Sequence, residues 1–420
     1  MKNSPSIIEC KDNIIKYSNN NITFFAGDSV FKQFSFNKYY WINELINVNM
    51  LNHPNIIKFN KCEIIDDYVI DTNNKEICLD KKEKVVRITM NKYASTLDNF
   101  KKSTDIEIFF IMNGLISAVL YSHSNNILHR DIKEKNILVN YKYTFIGTTR
   151  KRVLTNVVLA DFNISKYKFG IKSINKSRIM TISHRPPEVS LALRDHKHLD
   201  YDSRVDVWSF CIVLSFLITG KSFYSFINGG YLKIDPSLMY NVNSMIIAMS
   251  HFLKIFLNKT LIHNTLYKKI IFMGMSDYIN RTTFHEIHQV MRDYINVKNI
   301  PIKIEKNNYQ VISPEQELSP KLIYKSTLIL TLHNILQYNN IILATYYKFY
   351  NKLVANKFSF NEINMVALYI ISSLLILDEI IPLDVFTDVI TKHCKNKNIT
   401  NELIEKDIIK IIKFNNFNMF

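Results

Sequence analysis

Cysteine is scarce in this chain, and its five copies, Cys10, Cys62, Cys78, Cys211 and Cys394, include no CxxC pair. That spacing argues against a disulfide framework and against a zinc site, and it fits a reducing compartment. Long hydrophobic runs are missing too. The longest, MVALYIISSLLIL at 365–377, stops at Asp378, short of the about 20 residues that cross a bilayer. The first residues, MKNSPSIIECKDN, contain no apolar signal core. The expectation is a soluble, intracellular chain with no membrane contact.

Blocks of one charge are also absent. The formal net charge is +16, from 53 Lys and Arg against 37 Asp and Glu, yet the basic residues are dispersed along the chain. Dispersion reads as a solvated, biased surface and argues against nucleic-acid binding, although acidic substrates would suit it. Asn, Ile and Lys dominate, as in chains from AT-rich genomes. What is present is enough apolar material, 47% of residues, to bury a sizeable core. At 420 residues the chain exceeds one ordinary core, so two domains are expected.

Short apolar and polar alternations over 12–35 (NIIKY, ITFFA, SVFKQF) predict a strand meander, followed by a helix through YYWINELINVNML and a break at HPNII. VVRITM at 85–90 reads as another strand. FFIMNGLISAVLYSH (109–123) and VWSFCIVLSFLITG (207–220) read as buried helices. Residues 297–320 are polar, hold prolines and show no period, which predicts a linker. From Lys321 onward the pattern is helical.

The chemistry concentrates in YSHSNNILHRDIKEKNILVN at 121–140. Placed on a loop between apolar segments, Asp131, Lys133 and Asn136 set a carboxylate, an ammonium and an amide around one point, an arrangement suited to phosphate. His-Arg-Asp followed by Asn136, with Asp161-Phe162-Asn163 after the strand-like VVLA, resembles the catalytic loop and magnesium motif of the eukaryotic protein kinase superfamily. That resemblance implies a two-lobed α+β fold, with a small antiparallel-sheet lobe and a helical lobe, over 10–296. It implies ATP and Mg2+ as cofactors and a protein substrate phosphorylated on serine or threonine. Asp131 would orient the attacking hydroxyl and accept its proton, and Lys133 would steady the transferring group. Asn136 and Asp161 would be the metal ligands.

By the same resemblance, Lys32 in SVFKQF holds the α and β phosphates and pairs with Glu44 of the following helix. Met90 is the gatekeeper beside the adenine, and the Asn91 to Tyr93 backbone bonds it. In TISHRPPEVS, Thr181 would bond Asp131 and Lys133, and Glu188 would pair with Arg281. Asp206 of DVWSF would hold the catalytic loop backbone. Arg130 and Lys166 could bind a phosphate on Ser173 or Ser177, although Asn43 stands where cyclin-dependent kinases carry an arginine.

Several positions depart from the family. Between Ile14 and Lys32 the one glycine is Gly27, so no glycine-rich loop is present, and SNNN at 18–21 would have to serve. Asn163 replaces a glycine, a mild change if a positive φ is needed there, and Cys211 replaces another. YTFIGTTRKRV at 143–153 is an insertion that reads as a solvated basic loop or as a contact for a partner.

Residues 321–417 resemble a cyclin box. MVALYIISSLLILDEIIPLDVF matches its buried third helix, with Ile376 in place of the signature lysine and the acids kept as Asp378 and Glu379. KYYWINE lies where cyclin-dependent kinases carry P-S-T-A-I-R-E, and helical spacing puts Tyr39, Ile42 and Ile46 opposite Glu44. That apolar face needs a cover: the C-terminal helices in cis, a cyclin-like contact from a second chain, or a loop or N-terminal segment. Fusion and composition resemble kinases of large DNA viruses. The competing expectation is a pseudokinase scaffold or partner-recruiting module with weak or no ATP binding, which the missing glycine loop favours.

Overall fold

The computed structural model describes residues 14–17, 21–36, 40–71, 76–100, 103–146, 148–167, 180–197, 202–229, 239–298, 300, 329, 333, 336, 340–376, 383–393 and 399–414. They fall into two compact units. One draws on Met1–Asn52, Lys58–Lys92 and Ile312–Phe420, the other on His53–Ile57 and Tyr93–Val311.

The first unit is built on an antiparallel sheet in the order β1-β2-β3-β5-β4. Its strands are β1 (Ile14–Tyr17), β2 (Asn21–Ala26), β3 (Ser29–Ser35), β4 (Phe59–Asp71) and β5 (Glu76–Asn91). Ala26 pairs with Ser29, so Gly27 and Asp28 alone turn the chain, and Gly27 takes φ 58°. A two-residue hairpin needs that left-handed angle, which glycine adopts without a Cβ clash. Phe24 and Phe31 stack at 5.2 Å, and the Arg87 guanidinium lies 5.4 Å from the Phe24 ring. Arg87 is buried with Asp67 as its ion partner and also donates to Gln33 Oε1.

α1 (Tyr40–Asn49) enters through Trp41, whose Nε1 donates to Phe36 O at 3.1 Å. Ile42, Leu45, Ile46 and Val48 are all buried, as is Glu44. A helix buried on opposite faces needs two neighbours. The sheet is one, and the other is α10 (Glu362–Ile376), which lies against α1. Residues 366–374 of α10 are buried without interruption. α9 (Asn340–Ala355) and α12 (Asn401–Phe414) pack on α10, and α11 (Leu383–His393) packs on α12. The MVALYIISSLLI stretch is therefore a core helix of the first unit. Asp378 and Glu379 lie outside the described residues, as does Tyr39.

In the second unit, α2 (Asp105–Ser124) opens with a capping box. Thr104 Oγ1 accepts from Glu107 N, and Glu107 Oε2 accepts from Thr104 N. Apolar periodicity placed the start of this helix later, because its first turn is mixed. Among the described residues α2 alone has the length and apolarity to cross a bilayer, and most of it is buried inside the unit. α3 (Pro187–Arg194), α4 (Arg204–Thr219), α5 (Phe223–Asn228), α6 (Val242–Phe256), α7 (Asn264–Gly274) and α8 (Phe284–Val297) complete the helical body. Of the expected linker, only residues 297, 298 and 300 are described.

α7 meets α4 at Gly274, where a Cβ would stand 2.2 Å from Cys211 Sγ. The volume added by Cys211 is thus matched by the side chain that residue 274 lacks. Burial in that contact pushes the Cys211 thiol up to about 12, which leaves it protonated and unreactive.

β6 (Ser95–Thr96), β8 (Ile137–Ile146) and β9 (Thr149–Leu159) form a second sheet, and β7 (Ile127–Leu128) pairs with β10 (Lys166–Tyr167). Here the structure corrects the loop expectation for 143–153. Those residues form the outer half of a paired hairpin, with Tyr143 opposite Arg152 and Phe145 opposite Arg150. Aromatic and β-branched residues at every second position favour a strand, even in a basic segment.

Candidate active site

In the first unit the expected residues lie on adjoining elements. Lys32, central on β3, is paired in register with Thr23 of β2 and Ile88 of β5. Its Nζ reaches Glu44 Oε2 of α1 at 2.6 Å, with both side chains buried. An ion pair removed from water in this way makes the loss of either member costly, because the other charge is left unmatched. Met90 is buried on β5 between Val30 and Phe59. Asn91 follows, exposed, with its Oδ1 accepting from Asn60 Nδ2 at 2.6 Å, and Lys92 N donates to Asp28 O. Tyr93 belongs to the second unit, and burial pushes its phenol up. Of SNNN, only Asn21 is described.

In the second unit the loop carrying Asp131, Lys133 and Asn136 is strapped from several directions. Asp131 Oδ1 accepts from Thr181 Oγ1 at 2.5 Å. Its Oδ2 accepts from Lys133 Nζ at 2.5 Å and from Asn136 Nδ2 at 2.9 Å. Lys133 Nζ also donates to Thr181 Oγ1 at 2.9 Å, which closes a ring of three side chains. Asn136 Nδ2 donates a second bond to Asp131 O at 2.8 Å. An amide whose nitrogen is committed twice turns its Oδ1 the other way, toward whatever lies outside the ring.

The loop backbone hangs on Asp206 of α4, which is fully buried. Oδ1 accepts from Arg130 N at 2.8 Å, and Oδ2 accepts from His129 N at 2.9 Å and from His123 Nε2 at 2.8 Å. Burial alone would raise the Asp206 carboxyl. The hydrogen bonds from His123 and from the Arg130 N–H outweigh it and hold the group below the usual carboxylate range. His129 donates from Nε2 to Ala160 O at 3.1 Å and accepts at Nδ1 from Asp131 N at 3.2 Å. Burial pushes its pKa down against the nearby carboxylates, so the ring is neutral and of one tautomer.

Arg130 and Asp161 both sit at positive φ, 65° and 69°. Such angles cost a non-glycine residue roughly 1–2 kcal/mol, which the bonds around them must offset. The condition that would have called for Asn at 163 is not met, since of Asp161, Phe162 and Asn163 it is Asp161 that takes the left-handed angle. Asn163 therefore has no need of glycine's freedom. Arg130 Nε donates to Ile164 O at 2.8 Å, and Ser173 and Ser177 lie outside the described residues.

The segment after the loop is anchored independently. Glu188 takes a bidentate pair from Arg281, at 2.6 and 3.0 Å, beneath Trp208. Ser209 Oγ donates to His184 O, and Arg185 Nη2 donates to Met180 O at 2.7 Å. The part played by His123 was not legible in the sequence, because it meets Asp206 across 83 positions with no motif joining them.

Residues 25–291 match the protein kinase domain, and the chain belongs to that family. Among its relatives it is similar to "Cyclin-dependent kinase 1" of Encephalitozoon cuniculi, with 27% identity over 184 residues, 44% of this chain and 53% of that protein. It is also similar to "Putative serine/threonine-protein kinase R436" of Acanthamoeba polyphaga mimivirus, at 31% over 177 residues, 41% of this chain and 55% of that one. A third is "CTD kinase subunit alpha" of Schizosaccharomyces pombe, at 36% over 112 residues, 26% and 16% of the two chains. The matches thus span about half or less of these relatives' lengths.

Proposed function

We propose that this chain is a serine/threonine protein kinase that transfers the γ-phosphoryl group of ATP to protein hydroxyls. The observation that carries this is the ring of Asp131, Lys133 and Thr181, with Asn136 pinned beside it. It places a carboxylate to orient and deprotonate a hydroxyl, and a cation beside it for the transferred group. Lys32, paired with Glu44, is suited to the α and β phosphates. Asn136 Oδ1 and the Asp161 carboxylate are hard oxygen donors, a set that fits Mg2+ held by one or two protein oxygens and the phosphates. When bound, the ion would offset the charge of the phosphates.

The C-terminal helices act as a cyclin-like activator in cis. The contact of α10 with α1 supports this, since α1 carries Glu44 and buries Ile42 and Ile46. A kinase domain over 10–296 and a helical domain over 321–417 joined by 297–320 is the organisation this reading implies.

The test is transfer from ATP with magnesium to a basic protein and to the chain itself, by wild type, by Asp131→Asn and by a chain ending at Val297. Loss in Asp131→Asn establishes the enzyme, and loss on truncation makes the C-terminal helices the activator. A wild-type chain with no transfer and no nucleotide-dependent shift in Tm would be a binding scaffold instead.

A further inference from the structure

The outer β8–β9 hairpin carries side chains that packing does not explain. Tyr141 stands opposite Leu154, Tyr143 opposite Arg152 and Phe145 opposite Arg150. Opposed residues of an antiparallel pair share a face, so aromatic and guanidinium groups alternate on one side. Arg152 is engaged internally: its Nε donates to Glu107 Oε1 at 2.7 Å, and it covers the Phe100 ring at 3.9 Å. Arg150 is exposed and lies 3.6 Å over the Tyr143 ring, beside Phe145, which is 71% exposed. No carboxylate among the described residues pairs with Arg150. Lys142 and Lys151 are exposed on the opposite side, and from Ile137 to Ala160 the chain holds no Asp or Glu.

We infer that the tip of this hairpin docks an acidic segment of the protein substrate, with a carboxylate on Arg150 and an apolar side chain on Phe145 on one side of the ribbon, and a further carboxylate on Lys151 around its edge. The inference rests on the kinase reading of the site above. Charge complementarity carries it: Lys142, Arg150 and Lys151 are exposed cations beside the exposed rings of Tyr143 and Phe145, and the hairpin itself holds no acid. Single-stranded nucleic acid also combines anions with stacking, but it needs a basic groove to follow its backbone and free ring faces. Arg150 already covers one face of Tyr143.

The hairpin's attachment gives the inference a length. β8 starts directly after Asn136 and β9 ends just before Ala160 and Asp161, so the hairpin is rooted in the loop site at both ends. Nine positions separate Asn136 from Phe145, which is about 30 Å at ~3.3 Å per residue. A docked segment then stands about ten extended residues from the acceptor hydroxyl.

The experiment compares peptides sharing one acceptor sequence and carrying an Asp/Glu/Leu tail ten residues away, the same tail four residues away, or a Gly/Ser tail. In wild type the distant acidic tail should lower KM about tenfold with kcat unchanged, and added salt should erase the gain. Phe145→Ala with Arg150→Glu should abolish the preference while leaving Tm and the Gly/Ser-tailed KM as they were. Equal KM values in wild type, or a preference that survives in the variant, overturn the inference. Fluorescence anisotropy of a labelled acidic tail without Ser, Thr or Tyr reads docking separately from catalysis. Tail binding by a chain that transfers no phosphate upholds the acidic-segment surface and overturns the kinase reading instead. Tighter binding of a labelled oligo-dT than of the tail overturns the inference in favour of nucleic acid.

Discussion

The two groups of residues that would handle phosphate are held in opposite ways. Around Asp131, side chains that follow one another closely are tied to each other and to Thr181, and the loop backbone is tied to Asp206, so the site is held by many short links. Lys32 meets Glu44, and Glu44 rides on a helix covered by α10 from the far end of the chain. The loop is set by its own unit's bonds, whereas the strand pair depends on helix packing. The first arrangement suits a part that must not move, and the second a part that can be switched.

The largest effect tests the loop. Asp131→Asn should reduce phosphoryl transfer by about 10²–10⁴-fold in steady-state assays, with little change in Tm, because an amide of the same shape replaces the proposed proton acceptor and keeps an oxygen for its neighbours. Asp206→Ala should act on the fold instead. It strands two backbone N–H groups and His123, at about 3–5 kcal/mol in urea unfolding. If Asp206→Ala proved as stable as wild type, the strapped-loop half of the comparison would fail.

The strand half is tested by Ile46→Asp, which places a charge on a buried position of α1. Unfolding should become easier by about 2–4 kcal/mol, and transfer should fall at least about tenfold as Glu44 loses its place. Full activity in a destabilised Ile46→Asp chain would show that the sheet alone positions the pair. Gly274→Ala is milder: its methyl meets Cys211 Sγ, and overpacking should cost about 1–3 kcal/mol. Cys211→Gly in the same chain should recover most of that loss, a coupling that a double-mutant cycle measures.

The smallest effect is a pH slope. His129 has a folded pKa below its ordinary 6.5, since burial disfavours the charged ring. The unfolded chain therefore takes up the proton first. Stability from this group is whole above pH 6.5 and is lost as pH falls toward the folded value, by at most about 1.4 kcal/mol per pH unit. Tm recorded from pH 7.5 to 5.5 should decline, and His129→Gln should flatten the decline.

Much of the loop site was legible because its residues are close in sequence: Asp131, Lys133 and Asn136 span one short turn, and their types alone define the chemistry. The Lys32 and Glu44 pair was legible as a pair, since strand and helix follow each other with little between. The hairpin was not. A basic segment containing Gly147 reads as a solvated loop until its cross-strand partners are known. Neither was the left-handed angle at Asp161, because its residue type does not call for one.

The sequence by itself determined which chemical groups are present and which local elements carry them, because spacing and apolar period act over a few residues. Only the tertiary structure decided what neutralises Asp206, what fills the space beside Cys211 and what covers α1. Those partners are distant in the chain, and nothing in local pattern encodes the shape of the space between them.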